Sequence, residues 1–300
     1  MTMTPTAGDR TDLTAAGAGV APPAEPRARR KVRWVTMLSA AWIALLVLGA
    51  VLFPLLPLPD PDRSDYAAIA VPPGHVDHWL GTDTIGRDML SRLLIGGRVS
   101  LTVGIGGIAL AVLVGAVLGL ISGYFGGWLS RIINGVMDIL LAFPSLVALI
   151  ALSVFMGPGL KTIIIGIGFI AAPQVARVTR AATLGFAERE FVIASRGMGS
   201  GSWRILRREI VPNVVGPVIA FATVLVAVAI VAEGSLSFLG LGVPPPTSSW
   251  GTMMGDGRSD FDSAPHIALL PAGAMFVTLL ALYFLAEELN RKFDIKEAAL

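Results

Sequence analysis

The side chains with the strongest chemistry in this sequence gather in one short polar stretch, Glu190 to Asn213. Its second half carries Arg204, Arg207 and Arg208 at i, i+3 and i+4, which is one face of a helix, and Trp203, Leu206 and Ile210 at i, i+3 and i+7, which is another. One face is cationic and the other can dock, a pattern that suits either an anionic lipid surface or a groove on another protein. Gly199 is expected to end a first short helix in the left-handed conformation, a nearby serine such as Ser202 to cap a second, and Pro212 to stop it.

Elsewhere the reactive residues are sparse. Asp138 and Glu233 fall near the ends of apolar runs, where an acid pairs locally more readily than it relays protons, so both are candidate structural or gating acids. His75-x-x-His78 lacks further ligands at helical spacing, and with His266 these histidines read as loop residues. With 0 cysteines the chain has no disulfide, thiolate metal site or cysteine nucleophile. It has no G-x-x-x-x-G-K-[ST] phosphate loop and no recognisable serine, metal or cofactor constellation, which argues against ATP hydrolysis or other catalysis by the chain itself.

The elements that must position these residues are apolar. Hydrophobic side chains make up 54% of the 300 residues and charged ones only 15%, against about a quarter in soluble proteins, and mean hydropathy is +0.73. The composition defines an integral membrane protein, and its apolar runs of spanning length read as helices, which makes the expected fold class all-α. Residues 1–33 read as a disordered basic tail, 34–58 as transmembrane helix 1 and 59–97 as an acidic extracytoplasmic segment whose end leads through a turn into a short amphipathic helix. Residues 98–290 hold transmembrane helices 2 to 6, at about 100–123, 135–156, 160–184, 214–239 and 267–289, with the polar stretch at 186–212 between the fourth and fifth; 291–300 form a charged tail. Pro173 should kink the fourth span. In the second, Gly107, Ala111, Gly115, Gly119 and Gly123 place a small residue at every fourth position, and Gly115, Gly119 and Gly123 are the candidate helix-packing positions.

Six spans put both termini on one side of the membrane. Of the 23 lysines and arginines, seventeen then fall on the side of the termini and the polar stretch, and six on the other. By the positive-inside rule both termini and the stretch are cytoplasmic. A net charge of only +2, clustered beside apolar runs, gives no support for nucleic-acid binding.

From about His78 to Ile295 the chain resembles the permease subunits of ABC importers for dipeptides, oligopeptides and nickel, in four blocks that follow family order. These are His78 to Leu101, Asp138 to Ser145, the polar stretch itself, and Ala232 to Val243 with Pro245 to Gly251. Onto the family's coupling motif the sequence carries Ile193, Ala194 and Ser195, then Gly199, then Val211-Pro212 and Asn213. Ile193 stands in place of the motif's acid, Glu209 where the peptide branch usually has histidine, and Gly201 where a capping serine is common.

The resemblance implies a type I ABC importer permease fold in the cell membrane, with no cofactor in this chain. It implies a second homologous permease subunit, ABC ATPase subunits that carry ATP and magnesium, and an extracytoplasmic solute-binding protein, with membrane lipid as the remaining contact. ATPase docking would fall to Ile193, Ala194, Ser195, Gly199, Ser202, Trp203, Arg204, Arg207, Glu209 and Pro212. The segments 59–98 and 240–266 would meet the binding protein. Di- or oligopeptides are the expected solutes, moved by alternating access. The residues themselves leave an ion-gradient-driven transporter or channel as the alternative, but that reading wants acids near mid-membrane and paired broken repeats, and neither is evident. A membrane-embedded enzyme would need paired catalytic groups that the sequence does not offer.

Overall fold

The computed structural model describes residues 27–297, with side chains for 34–293. Most of the segment read as a disordered tail therefore lies outside the described residues. The helix it leads into, α1 (Arg27–Leu52), begins seven residues before the expected span and ends in a single 3₁₀ turn, Phe53–Leu55. The other helices are α2 (Met89–Phe125), α3 (Gly127–Ala142), α4 (Ser145–Met156), α5 (Leu160–Ala187), α6 (Glu190–Gly197), α7 (Ser202–Ile205), α8 (Val211–Phe238), α9 (Trp250–Asp256) and α10 (His266–Glu297). Among the described residues there is no strand, only the isolated bridges Ser64 to Arg87 and Thr82 to Asp88.

Five of these stretches are long and apolar enough to cross a membrane: 34–55, 89–125, 160–187, 202–238 and 266–293. The sixth expected span is two helices, α3 and α4, bent by 86° at Phe143-Pro144. Phe143 is extended, at φ −82° and ψ 135°, because the ring of a following proline disfavours the helical conformation of the residue before it. Pro173, by contrast, sits inside an unbroken α5.

The centre of the fold is the packing of α2 against α5. A β-carbon added at Gly115 would fall on the carbonyl oxygen of Ala172. One at Gly119 would lie 2.5 Å from that of Ala176, and one at Gly123 would lie 2.8 Å from Cβ of Thr183. The small-residue stripe thus faces a neighbouring helix at backbone contact, which in an apolar solvent is a main source of helix association. One buried cluster, including Val103, Ala111, Ile167 and Val175, continues through α8 to Leu206 and Ile210, while a second joins α1, α9 and α10 around Met89, Trp250 and Ile267. Trp42 Nε1 donates to Thr278 Oγ1 at 3.0 Å and fastens α1 to α10.

Two boundaries differ from expectation for one reason each. The short amphipathic helix and the second span are continuous in α2, whose first turn is capped by Asp88 accepting from Ser91 N at 2.8 Å. Pro212 does not stop a helix: Leu206–Ile210 form a π turn that runs into α8, so Ser202 to Phe238 is one rod. A wide turn ahead of a proline relieves the crowding that its ring imposes on the carbonyl four residues back. Asn213 Nδ2 then donates to Glu209 O at 2.6 Å within the same turn. Replacing Gly119 by leucine is expected to wedge α2 from α5 by more than the usual overpacking penalty of about 1–3 kcal/mol. Loss of a monodisperse peak when the variant is purified in detergent is the readout.

Candidate functional site

At one end of the bundle, α6 and α7 form a cap between α5 and α8. Gly199 adopts φ +80° and closes α6, with Gly199 N donating to Arg196 O and Ser200 N to Ser195 O. That left-handed turn is the one the sequence called for. The capping serine is not: Gly201 occupies the N-cap of α7 without a side-chain bond, and Ser202 is already inside the helix.

The docking face also needs correction. Trp203 points outward, whereas Leu206 and Ile210 are buried in the chain's own core together with Ile205. They hold the cap to the bundle and are not free to dock. The outward apolar surface is instead made by Ile193, Met198 and Trp203, which are 57%, 78% and 69% exposed. Ala194, Gly199, Ser202, Arg204 and Arg207 are exposed with them, Ser195 and Glu209 are half-buried, and Pro212 is exposed at the start of α8. Met198 was missed by sequence reasoning because it lies in the break between helices, outside either periodic face. Arg196, another omission, sits 5.8 Å over the Tyr124 ring at the end of α2. The cap is therefore an apolar knob rimmed by arginines, seated on α2, α5 and α8.

The opposite end is held by charge. Asp83 accepts from Ile85 N, Arg87 N and, at 2.6 Å, Arg87 Nε; Arg92 Nε lies 3.5 Å from the same carboxylate. Arg87 Nη2 also donates to Asp256 of α9 at 3.4 Å, and Arg92 reaches Asp62 and Pro61 O. Burial holds the Asp256 carboxyl above its usual range, against the opposing pull of Arg87 and Arg92. His78 is buried and bonded to Asp88 at 2.9 Å, and His266 Nε2 is 3.1 Å from Thr82 O. The segment 59–88 is thus clamped over α9 and the start of α10. It borders a cavity of about 720 Å³ with Arg87, Pro158, Ser237, Pro245, Thr252 and Asp256 in its wall.

The α9 helix was not anticipated, although Ser249 and Thr252 form a reciprocal capping box that the sequence displays. The two candidate acids have different surroundings. Glu233 is fully buried and accepts from Ser100 Oγ at 2.8 Å and Ser237 Oγ at 2.6 Å; Ser100 Oγ in turn lies 3.4 Å from Trp250 N, so α2, α8 and α9 meet at this carboxylate. Asp138 pairs with Arg177 Nη2 at 2.6 Å, with both side chains more than half exposed.

Five long apolar helices, a bent sixth pair and a cap of short helices between α5 and α8 give the described residues the build of a multi-pass membrane protein. Residues 115–295 match the family described as the inner membrane component of binding-protein-dependent transport systems, and the chain belongs to that family. It is 36% identical over 270 residues to the glutathione transport system permease protein GsiD of Pectobacterium atrosepticum, covering 89% of each chain, and 35% identical over 263 residues to that of Escherichia coli O157:H7, covering 87% of this chain and 86% of that one. Among solved structures, the MetNI methionine ABC transporter in an inward-facing conformation superposes on 68% of this chain and 97% of its own, with a TM-score of 0.57 at 18% identity, a likeness of fold. The chain is a non-catalytic subunit of a multi-pass type, and its fold is that of type I ABC importer permeases.

The two kinds of ion pair predict opposite mutational outcomes. Asp83→Ala leaves Arg87 and Arg92 side by side with only the half-exposed Asp62 and Asp256 as longer-range partners and is expected to destabilise the chain by about 3–5 kcal/mol. Asp138→Ala removes an exposed pair and is expected to change stability by less than about 1 kcal/mol. Thermal melts of the two variants in detergent test the contrast.

Proposed function

We propose that this chain carries di- or oligopeptides across the cell membrane by alternating access, as one permease of a complex with a second homologous permease. Two ABC ATPase subunits would bind ATP and magnesium, and an extracytoplasmic solute-binding protein would deliver the cargo. Both termini and the α6–α7 cap face the cytoplasm in this reading, in line with the excess of arginine and lysine on that side. Glutathione, the solute for which the relatives are named, is itself a small peptide, which supports the substrate class. The Asp83–Arg87–Arg92–Asp256 clamp and the cavity beside it face the binding protein.

The observation that carries the reading is the join between the cap and α8. Ile193, Met198 and Trp203 offer an apolar knob to an ATPase groove, and Ser202 to Phe238 is one unbroken rod. At about 1.5 Å per residue the rod is about 55 Å long. Trp203 lies on that rod, so movement of the docked cap reaches Glu233 and Ser237 through continuous helix. In energetic terms ATP and loaded binding protein each favour one of two arrangements of this rod.

The absence of native cysteine permits a direct test. Ser202→Cys is expected to cross-link to a cysteine placed in the ATPase groove of the assembled transporter, and Trp203→Ala to reduce ATP-driven uptake at least about tenfold through the loss of a buried interface anchor. Failure to cross-link in a complex that still transports would remove the docking assignment. Uptake that continues with hydrolysis-dead ATPases would remove the ATP-driven reading.

A further inference from the structure

The α5 helix is buried on most of its surface, yet one stripe of it is not. Gln174, Arg177, Ala181 and Leu184, spaced by three, four and three residues, leave the packed core while Ala172, Val175, Ala176, Thr179 and Thr183 are buried around them. The stripe opens into a groove of about 580 Å³ between α3 and α5, whose wall contains Arg131, Asn134, Asp138, Arg177, Arg180 and Ala181. Three guanidinium groups face one carboxylate there. Arg180 Nε is buried and has no hydrogen-bond acceptor among the described residues, and Asp138 and Arg177 are 62% and 57% exposed although they lie 2.6 Å apart.

Lipid tails are a poor covering for such a surface. Arg177 and Arg180 lie toward the inner end of α5 and belong to the seventeen cations on the side of the termini, so the groove opens near the inner end of the bundle. The groove is better matched to water and to a passing solute. Above it, on the same stripe, Gln174 borders a small apolar pocket with Ser145, Leu149 and Leu225, so the polar wall continues toward the middle of the bundle.

We propose that the α3–α5 groove is a carboxylate-recognition site on the solute's route, in which Arg177 and Arg180 take a carboxylate of the solute and Asp138 is its built-in stand-in. The site rests on the permease reading and narrows it: the cargo bears a free carboxylate. A solute carboxylate displaces Asp138 from Arg177 and meets the neighbouring Arg180 guanidinium in the groove wall, and the Asp138–Arg177 pair re-forms once the solute has passed. Because the pair is exposed, exchange gives up little stability.

The test uses Ala181→Cys in this cysteine-free chain, assembled with its partner permease and ATPases in phosphatidylcholine nanodiscs, with ATP-driven uptake of the natural cargo followed in proteoliposomes of the same complex. A negatively charged methanethiosulfonate reagent is expected to label Cys faster than a positively charged one by at least about tenfold, the range that a cation-lined cleft gives. Added Arg177→Gln is expected to abolish that preference. Millimolar trialanine is expected to slow labelling and trialanine amide not to, and Asp138→Asn to lower the trialanine concentration required. Equal rates for the two reagents, no labelling by either, absence of trialanine protection, or equal protection by the amide overturns the proposal. So does loss of the charge preference when phosphatidylglycerol replaces phosphatidylcholine, which would assign the groove to lipid headgroups. If uptake stays ATP-driven while the labelling results fail, only the carboxylate site falls; if uptake proves independent of ATP, the permease reading falls with it.

Discussion

The backbone contact between α2 and α5 is the constraint on which the rest of this protein depends. Lipid offers no hydrophobic drive for two helices to meet, so close van der Waals approach has to supply it. Gly115, Gly119 and Gly123 on α2 set that approach against Ala172, Ala176 and Thr183 on α5. Once α5 is fixed along α2, its far end fixes α6, and α6 with Gly199 fixes where the rod of α7 and α8 must begin. The Glu233 carboxylate then ties that rod back to α2 through Ser100. The path of the chain closes on itself, with the glycine stripe on one side and a buried acid on the other.

The two ends of the bundle use different physics to suit different partners. The clamp around Asp83 buries Asp83 and Arg92, nearly buries Arg87, and pairs them within the chain, with Asp256 at its exposed edge, a geometry that holds the loop 59–88 against α9. The cap leaves its charges and its largest apolar side chains outside. A surface of that kind gains stability only when another surface covers it, and so is suited to transient, strong seating of a partner. Within one chain, internal charge pairing and exposure are segregated to opposite ends of the bundle.

Much of this was legible in the sequence because it follows from spacing. The spans announce themselves by apolar length, the packing stripe by its period of four, and the turn at Gly199 by the residue that best tolerates a positive φ. What was not legible depended on contacts between distant segments. Leu206 and Ile210 share a helical face with Trp203 by spacing, but only the tertiary fold decides that two of them are buried while the third is not. Pro212 looked like a stop because a proline's local effect is known and the relief given by a π turn is not visible in residue types. The pairing of Arg87 and Arg92 with Asp256 joins positions some 160 residues apart, and no single-chain pattern connects them. Two misses had a readable signal: the bend at Phe143-Pro144, since a residue before proline avoids the helical conformation, and α9, whose capping residues Ser249 and Thr252 stand in the sequence.

That bend bears on how the protein comes to be in a membrane at all. At about 1.5 Å per residue, α3 and α4 are about 24 and 18 Å long, and neither covers a hydrocarbon layer of about 30 Å. During synthesis neither piece can therefore serve as a stable stop on its own. The long α5 that follows α4 after Gly157-Pro158-Gly159 packs against it and supplies contacts that so short a helix lacks in the bilayer.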